Sequence, residues 1–231
     1  ISQKNSDNRF FMLFDPQAVP NEAMLVGGVR LSLDEKKYPA IWDEKTYQKC
    51  MDEKAKTVTS ATGEISWNFG DGNIQIRTPK TRGFIGFTEG KSYDNGPLKM
   101  KLSKAYGVIG FCSLDNKPLE ESSRILVTVA ARDRNSGQTL MYLSQGGKKI
   151  DGYQSFKMGK VGTAPFIYEP LEVDFTLKTA SKAKWNVVPV DISGKLMADK
   201  KIAVSSDGSS ISGKISNKAC TAMNFILSEE K

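Results

Sequence analysis

Leu171, Val173, Phe175 and Leu177 alternate with Glu172, Asp174, Thr176 and Lys178, and this strict period of two constrains the fold more than any other stretch. Only an extended strand sends successive side chains to opposite faces, so the run predicts a β-strand with one buried side. Leu98, Met100 and Leu102, spaced by Lys99 and Lys101, repeat the pattern. Ile125, Val127 and Val129 in SRILVTVAA read as a strand buried on both faces. Val188, Val190 and Ile192, then Ile202 with Val204, then Met223, Phe225 and Leu227 continue the series. Turn residues punctuate these runs: GDGN at 70–73, YDNGP at 93–97, LDNKP at 114–118, DRNSG at 133–137 and DGSS at 207–210. The helix signals of an α/β chain are missing from Gly72 onward. About ten short strands with such turns predict an all-β protein, an antiparallel β-sandwich.

The beginning of the chain differs. RFFMLFDPQAVPNEAMLVGGVRLSL is apolar and broken by Pro16 and Pro20, and a charged, helix-compatible stretch follows. Asp43 to Lys56 is the one short helix predicted, with Tyr47 and Met51 on one side. Residues 1–56 are therefore read as an N-terminal arm or linker, packing on the sandwich or on an upstream domain. Residues 57–231 form the β-sandwich domain. The chain starts at Ile1 with neither Met nor a basic-then-apolar leader, and is expected to be mature, trimmed or a fragment.

There is no histidine, which excludes Ser-His and Cys-His nucleophile systems, His-ligated zinc and histidine general bases. Cys50, Cys112 and Cys220 lie far apart without CxxC spacing, so no zinc or redox motif is supported. Cys112, inside YGVIGFCSL, is expected to be a buried, inert thiol. The net charge of +7 raises the question of nucleic acid. The basic residues are scattered singly or in pairs, without aromatic interleaving, so solvated strand faces are expected and no nucleic-acid partner. No apolar run approaches the roughly 18 residues of a spanning helix, and no membrane partner is expected.

The stretch TGEISWNFGDGNIQIRTPKTRGFIGF at 62–87 reads as a hairpin followed by a third strand. Trp67 and Phe69 share a face at i, i+2 and are expected to point inward, with Lys80 and Arg82 as solvated edge residues. Short acidic turns in FGDGN and DRN raise calcium, but no EF-hand spacing exists and no cofactor or metal is predicted.

Four stretches in order resemble the C-terminal region of multidomain bacterial glycoside hydrolases. They are FDPQAVPNEAMLVGGVRLS, VTSATGEISWNFGDGNIQIRTPKTRGFIGF, SLDNKPLEESSRILVTVAARDRNSG and APFIYEPLEVDFTL. Together they run from Phe14 to Leu177. The sequence departs from the commoner loop version after Asn135, where it has NSGQTLMYLSQ. The resemblance implies a β-sandwich behind a (β/α)8 barrel, with the catalytic carboxylates upstream of Ile1 and none here. It implies a secreted or cell-surface location, a plant-type polysaccharide or oligosaccharide as partner, and contact with the upstream catalytic domain of the same polypeptide.

Two functions follow from that reading: a non-catalytic carbohydrate-binding module, or a structural accessory domain bracing the barrel. Sugar binding needs flat aromatic faces with polar groups beside them. Trp42 in the arm, Trp67 in the hairpin and Trp185 at the head of a strand are candidates. Tyr153 and Phe156, in the long polar loop GGKKIDGYQSFKMGKVG, are the aromatics that core packing explains least. Catalysis by the chain itself would require two converging carboxylates in an aromatic-lined cleft.

Overall fold

In a computed structural model, residues 20, 22–27, 43–88, 90–142 and 156–230 are described. The strands in chain order are β1 (Met51–Asp52), β2 (Thr57–Thr59), β3 (Ile65–Asn68), β4 (Asn73–Arg77), β5 (Thr81–Phe87), β6 (Ser92–Asn95) and β7 (Leu98–Leu102). They continue with β8 (Tyr106–Ser113), β9 (Arg124–Ala130), β10 (Asp133–Ser136), β11 (Thr139–Tyr142), β12 (Phe156–Lys160) and β13 (Thr163–Tyr168). The last are β14 (Glu172–Lys178), β15 (Trp185–Val190), β16 (Ile202–Ala203), β17 (Ser205–Ser206), β18 (Ser210–Ser216) and β19 (Asn224–Glu229).

The large sheet has ten strands in the order β1-β2-β3-β4-β5-β8-β9-β19-β15-β16, and the small one has five, β17-β18-β14-β7-β6. The strand pairs are antiparallel. The predicted all-β antiparallel sandwich is the observed architecture. The core lies between the sheets, where Phe84, Ile109, Phe111, Ile125, Val127, Phe225 and Leu227 meet Leu98, Met100, Val173, Phe175 and Leu177. The rings of Phe111 and Phe175 are 5.3 Å apart across it. The four apolar residues 171–177 all face inward.

The outer faces of the two sheets are unlike. On the small sheet, Lys99, Lys101, Asp174 and Lys214 point to solvent, with Lys99 3.3 Å from Asp94 and Lys214 3.5 Å from Asp174. On the large sheet, register carries apolar residues across the strands, from Val58 through Trp67, Ile74 and Ile85 to Val108. A parallel row runs Ile65, Ile76, Gly83, Gly110. Except for Val58 and Gly83, these positions are half-buried.

Several expectations are corrected. In β15 the inward residues are Trp185, Val187 and Pro189, the opposite parity to the predicted Val188, Val190 and Ile192; Ile192 is fully exposed in the following turn. Both parities of WNVVPV carry valine, so alternation could not choose between them. Strand β9 is buried on one face only; Leu126, Thr128 and Ala130 are half-exposed. Cys112 is half-buried on the outer face, where it accepts a hydrogen bond from Thr81 Oγ1 at 3.4 Å, and is not a core thiol. All three cysteines are free. Arg82 is on an interior strand between β4 and β8, not on an edge. Lys80 does sit in the turn before β5, where its ammonium bonds Asn116 Oδ1.

The helix expected over 43–56 is shorter, α1 (Ala23–Val26) precedes it, and it is itself α2 (Glu44–Cys50). Asp43 caps α2, accepting from Thr46 N at 3.1 Å and Thr46 Oγ1 at 2.6 Å. Met51 leaves the helix because it pairs with Val58, so the sheet begins inside the segment read as the arm. Val26 and Tyr47 pack on Val58 with Trp67 beside them, a second small cluster on the outer face of the large sheet. Trp67 therefore points away from the main core, and its ring meets Phe69 edge-on at 5.8 Å. A third helical turn, α3 (Asn217–Cys220), links β18 to β19.

Candidate interaction surface

Among the described residues, two ribbons formed by chain segments outside both sheets present the largest group of exposed apolar side chains. Strand β10 pairs with β13 and β11 with β12, so residues read as the DRNSG turn and the end of the long loop are strands. Gly137, at φ +72°, turns the chain from β10 to β11. Gly162, at φ +76°, returns it from β12 to β13. A Cβ at Gly162 would come within 2.5 Å of the Ser136 carbonyl oxygen, so only glycine fits.

The ribbons are held by a dense set of hydrogen bonds. Asn135 Nδ2 donates to the Val161 carbonyl at 3.2 Å, Ser136 Oγ to the Pro165 carbonyl at 2.8 Å, and Lys160 N to Thr139 Oγ1 at 3.0 Å. At the root, Arg132 Nε lies 3.0 Å from Glu169 Oε2, and Lys104 Nζ 3.8 Å from Glu169 Oε1. Hydrogen bonding from Arg132, opposed by burial, draws the Glu169 carboxyl below its ordinary range. This is an ordered structure, yet Leu140, Met141, Met158, Phe166 and Ile167 on it are each about half exposed. Phe166 and Ile167 are consecutive in one strand, so apolar surface is presented on both faces.

The sugar-binding candidates do not converge. Trp185 is in the core at 4% exposure, so it offers no platform; its indole N–H is buried without an acceptor. Trp67 is half-buried in the cluster with Val58 and Tyr47. Trp42 and Tyr153 lie outside the described residues. Phe156 pairs through its backbone with Tyr142 in the β11–β12 ribbon; its side chain lies outside the described ones. The reading from sequence missed two exposed rings, Phe166 and Phe87, each 52% accessible. Phe87 lies over Gly72 and meets Tyr106 edge-on at 5.3 Å. The one signal that could have found the ribbons is the runs LMYL and PFIY. They are apolar without alternation, at either side of a glycine- and lysine-rich loop.

The carboxylates with displaced pKa among the described residues all move downward. Burial works against the charge of Asp115, but donors from Ser123 N at 2.8 Å, Ser113 Oγ at 2.9 Å and Ser123 Oγ at 3.1 Å outweigh it and hold the carboxyl well below the usual range. Asp207 accepts from the backbone and side chains of Ser209 and Ser210 and is drawn down to about 2. Asp191 is lowered by Ser193 and Lys195 N, Glu230 by Lys201, and Asp43 by Thr46. They are turn and cap carboxylates apart from the ion-paired Glu230, whereas a general acid needs a raised pKa. Among the described residues no group of three Asp, Glu or Cys side chains could hold a metal ion. An open cleft of about 480 Å³ beside α2 is lined by Lys49, Cys50, Asp52, Thr57 and Ser60 among others, and no aromatic ring lines it.

No family model, no curated protein and no solved structure matches the chain.

Proposed function

We propose that the chain is a non-catalytic accessory module whose ribbons β10–β13 dock against a neighbouring folded domain. The observation that carries this reading is the exposure of Leu140, Met141, Met158, Phe166 and Ile167 on two consecutive hydrogen-bonded ribbons. Isolated soluble domains rarely keep such area open without a use for it. Its aliphatic and thioether character suits protein packing better than pyranose stacking, which calls for flat rings. The likeness to glycoside hydrolases makes the preceding catalytic barrel of the same polypeptide the surface to be docked.

Carbohydrate binding is the second reading, and the exposed rings of Phe166 and Phe87 favour it. Affinity electrophoresis against soluble glucans, xylans and mannans separates the two, with hydrolysis followed in parallel. The docking reading expects unchanged mobility and no released sugar. Retardation that Phe166→Ala or Phe87→Ala abolishes would replace it with the binding module, and sugar release would overturn both.

A further inference from the structure

The outer face of the large sheet has features that neither reading of the ribbons uses. Across its middle, from Trp67 to Val108, it is apolar, while the corresponding face of the small sheet is covered with lysines and aspartates. One end of it is already covered by this chain, since α1 and α2 set Val26 and Tyr47 on Val58. At its centre Gly83 and Gly110 pair across β5 and β8. A Cβ added at Gly110 would meet nothing within 4 Å, whereas one at Gly83 would touch the Ile109 carbonyl and Ile76, so the hollow lies over Gly110. Ile76, Ile85 and Val108 stand around it.

We propose that this hollow seats an aromatic side chain from Arg9–Phe14, the RFFMLF stretch of this chain, which extends the cover begun by α1. Three observations select that occupant. First, it continues an existing interface: the chain reaches the face at α1, only nine residues after Phe14. Second, it is long enough. Pro20 to Ala23 is a turn closed by a 3.0 Å hydrogen bond from Ala23 N to the Pro20 carbonyl. At about 3.3 Å per residue an extended chain carries Phe14 up to roughly 20 Å from Pro20, while three strand spacings from β2 to β5 need about 15 Å. Third, its chemistry fits: Phe10, Phe11, Leu13 and Phe14 carry no charge, and neither do the residues around the hollow.

Cys112 is the reporter. It lies two residues beyond Gly110 on the same face of β8, half-buried, its sulfur accepting from the Thr81 hydroxyl at 3.4 Å and donating to the Ser113 carbonyl at 3.7 Å. Its alkylation rate, resolved by peptide mass spectrometry, is compared between the full chain and a chain lacking residues 1–19. The full chain carrying Phe10→Asp, Phe11→Asp and Phe14→Asp together is the second variant, in case the truncated one does not fold. Near-ultraviolet circular dichroism checks folding in each. Removing the cover should speed labelling at Cys112 at least about tenfold, with the core thiol Cys220 unchanged. Equal rates at Cys112 in folded protein overturn the proposal. A rate that falls only as protein concentration rises assigns the face to a second copy and overturns it equally.

Discussion

Asp207 shows how little of a turn's chemistry lies in the aspartate itself. Its carboxylate gathers four donors from Ser209 and Ser210, and its pKa falls from 3.8 to about 2. The folded value is below the unfolded one, so the contribution to stability is complete above the unfolded pKa. It is lost as pH falls through about 2. Asp207→Ala should therefore lower the urea midpoint near neutrality, and the gap from wild type should close on acidification. A gap that stays constant with pH would show that the carboxylate charge plays no part. The DGSS turn was legible because Asp, Gly and Ser stand together. Asp115 was not legible in the same way: its strongest partner, Ser123, is eight residues on and meets it only because the chain folds back into β9. Asp115→Ala leaves the Ser123 N–H without its acceptor and should cost about 1–3 kcal/mol in chemical denaturation.

At the scale of elements, strand type was easier to read than strand parity. The runs 98–102 and 171–177 combine apolar residues at one parity with charged residues at the other, and both face as expected. In β15 the alternate residues are Trp185, Val187 and Pro189 against Asn186, Val188 and Val190, and packing decides what pattern does not. Trp185→Ala should consequently behave as a core truncation, destabilising by about 3–5 kcal/mol. Ile192→Ser should change stability by no more than about 0.5 kcal/mol, and similar losses from both would contradict the observed parity. The ribbons were less legible still. Polar residues and glycines in DRNSG read as a turn, yet pairing with β13 makes that segment a strand, and such pairing over about thirty residues leaves no local trace. Gly162→Ala should disrupt the ribbons β10–β13 and β11–β12 and leave the two large sheets intact. Faster amide exchange in 133–136 and 156–168 with an unchanged core would be the signature, and exchange unaltered there would contradict the need for glycine.

For the whole molecule, two sheets closing on one apolar core were readable from period and turn chemistry, because strands such as 98–102 and 171–177 carried their own alternation. The use of the remaining surface was not readable. Whether a valine or isoleucine on a strand faces the core, the outer face or solvent depends on which strands flank it, and Leu140, Met158 and Phe166 look in sequence like core residues. The docking proposed for the ribbons requires that a neighbouring domain cover these exposed residues. Methionine footprinting with dilute peroxide tests it most directly, because Met141 and Met158 lie on the ribbons while Met100 is buried in the core as an internal standard. The rates are measured in this chain and in a longer polypeptide that carries a catalytic barrel before it. If the proposed docking holds, Met141 and Met158 oxidise quickly in the chain alone and are protected by about tenfold or more in the longer polypeptide, with Met100 slow in both. Equal oxidation of Met141 and Met158 in the two would contradict it.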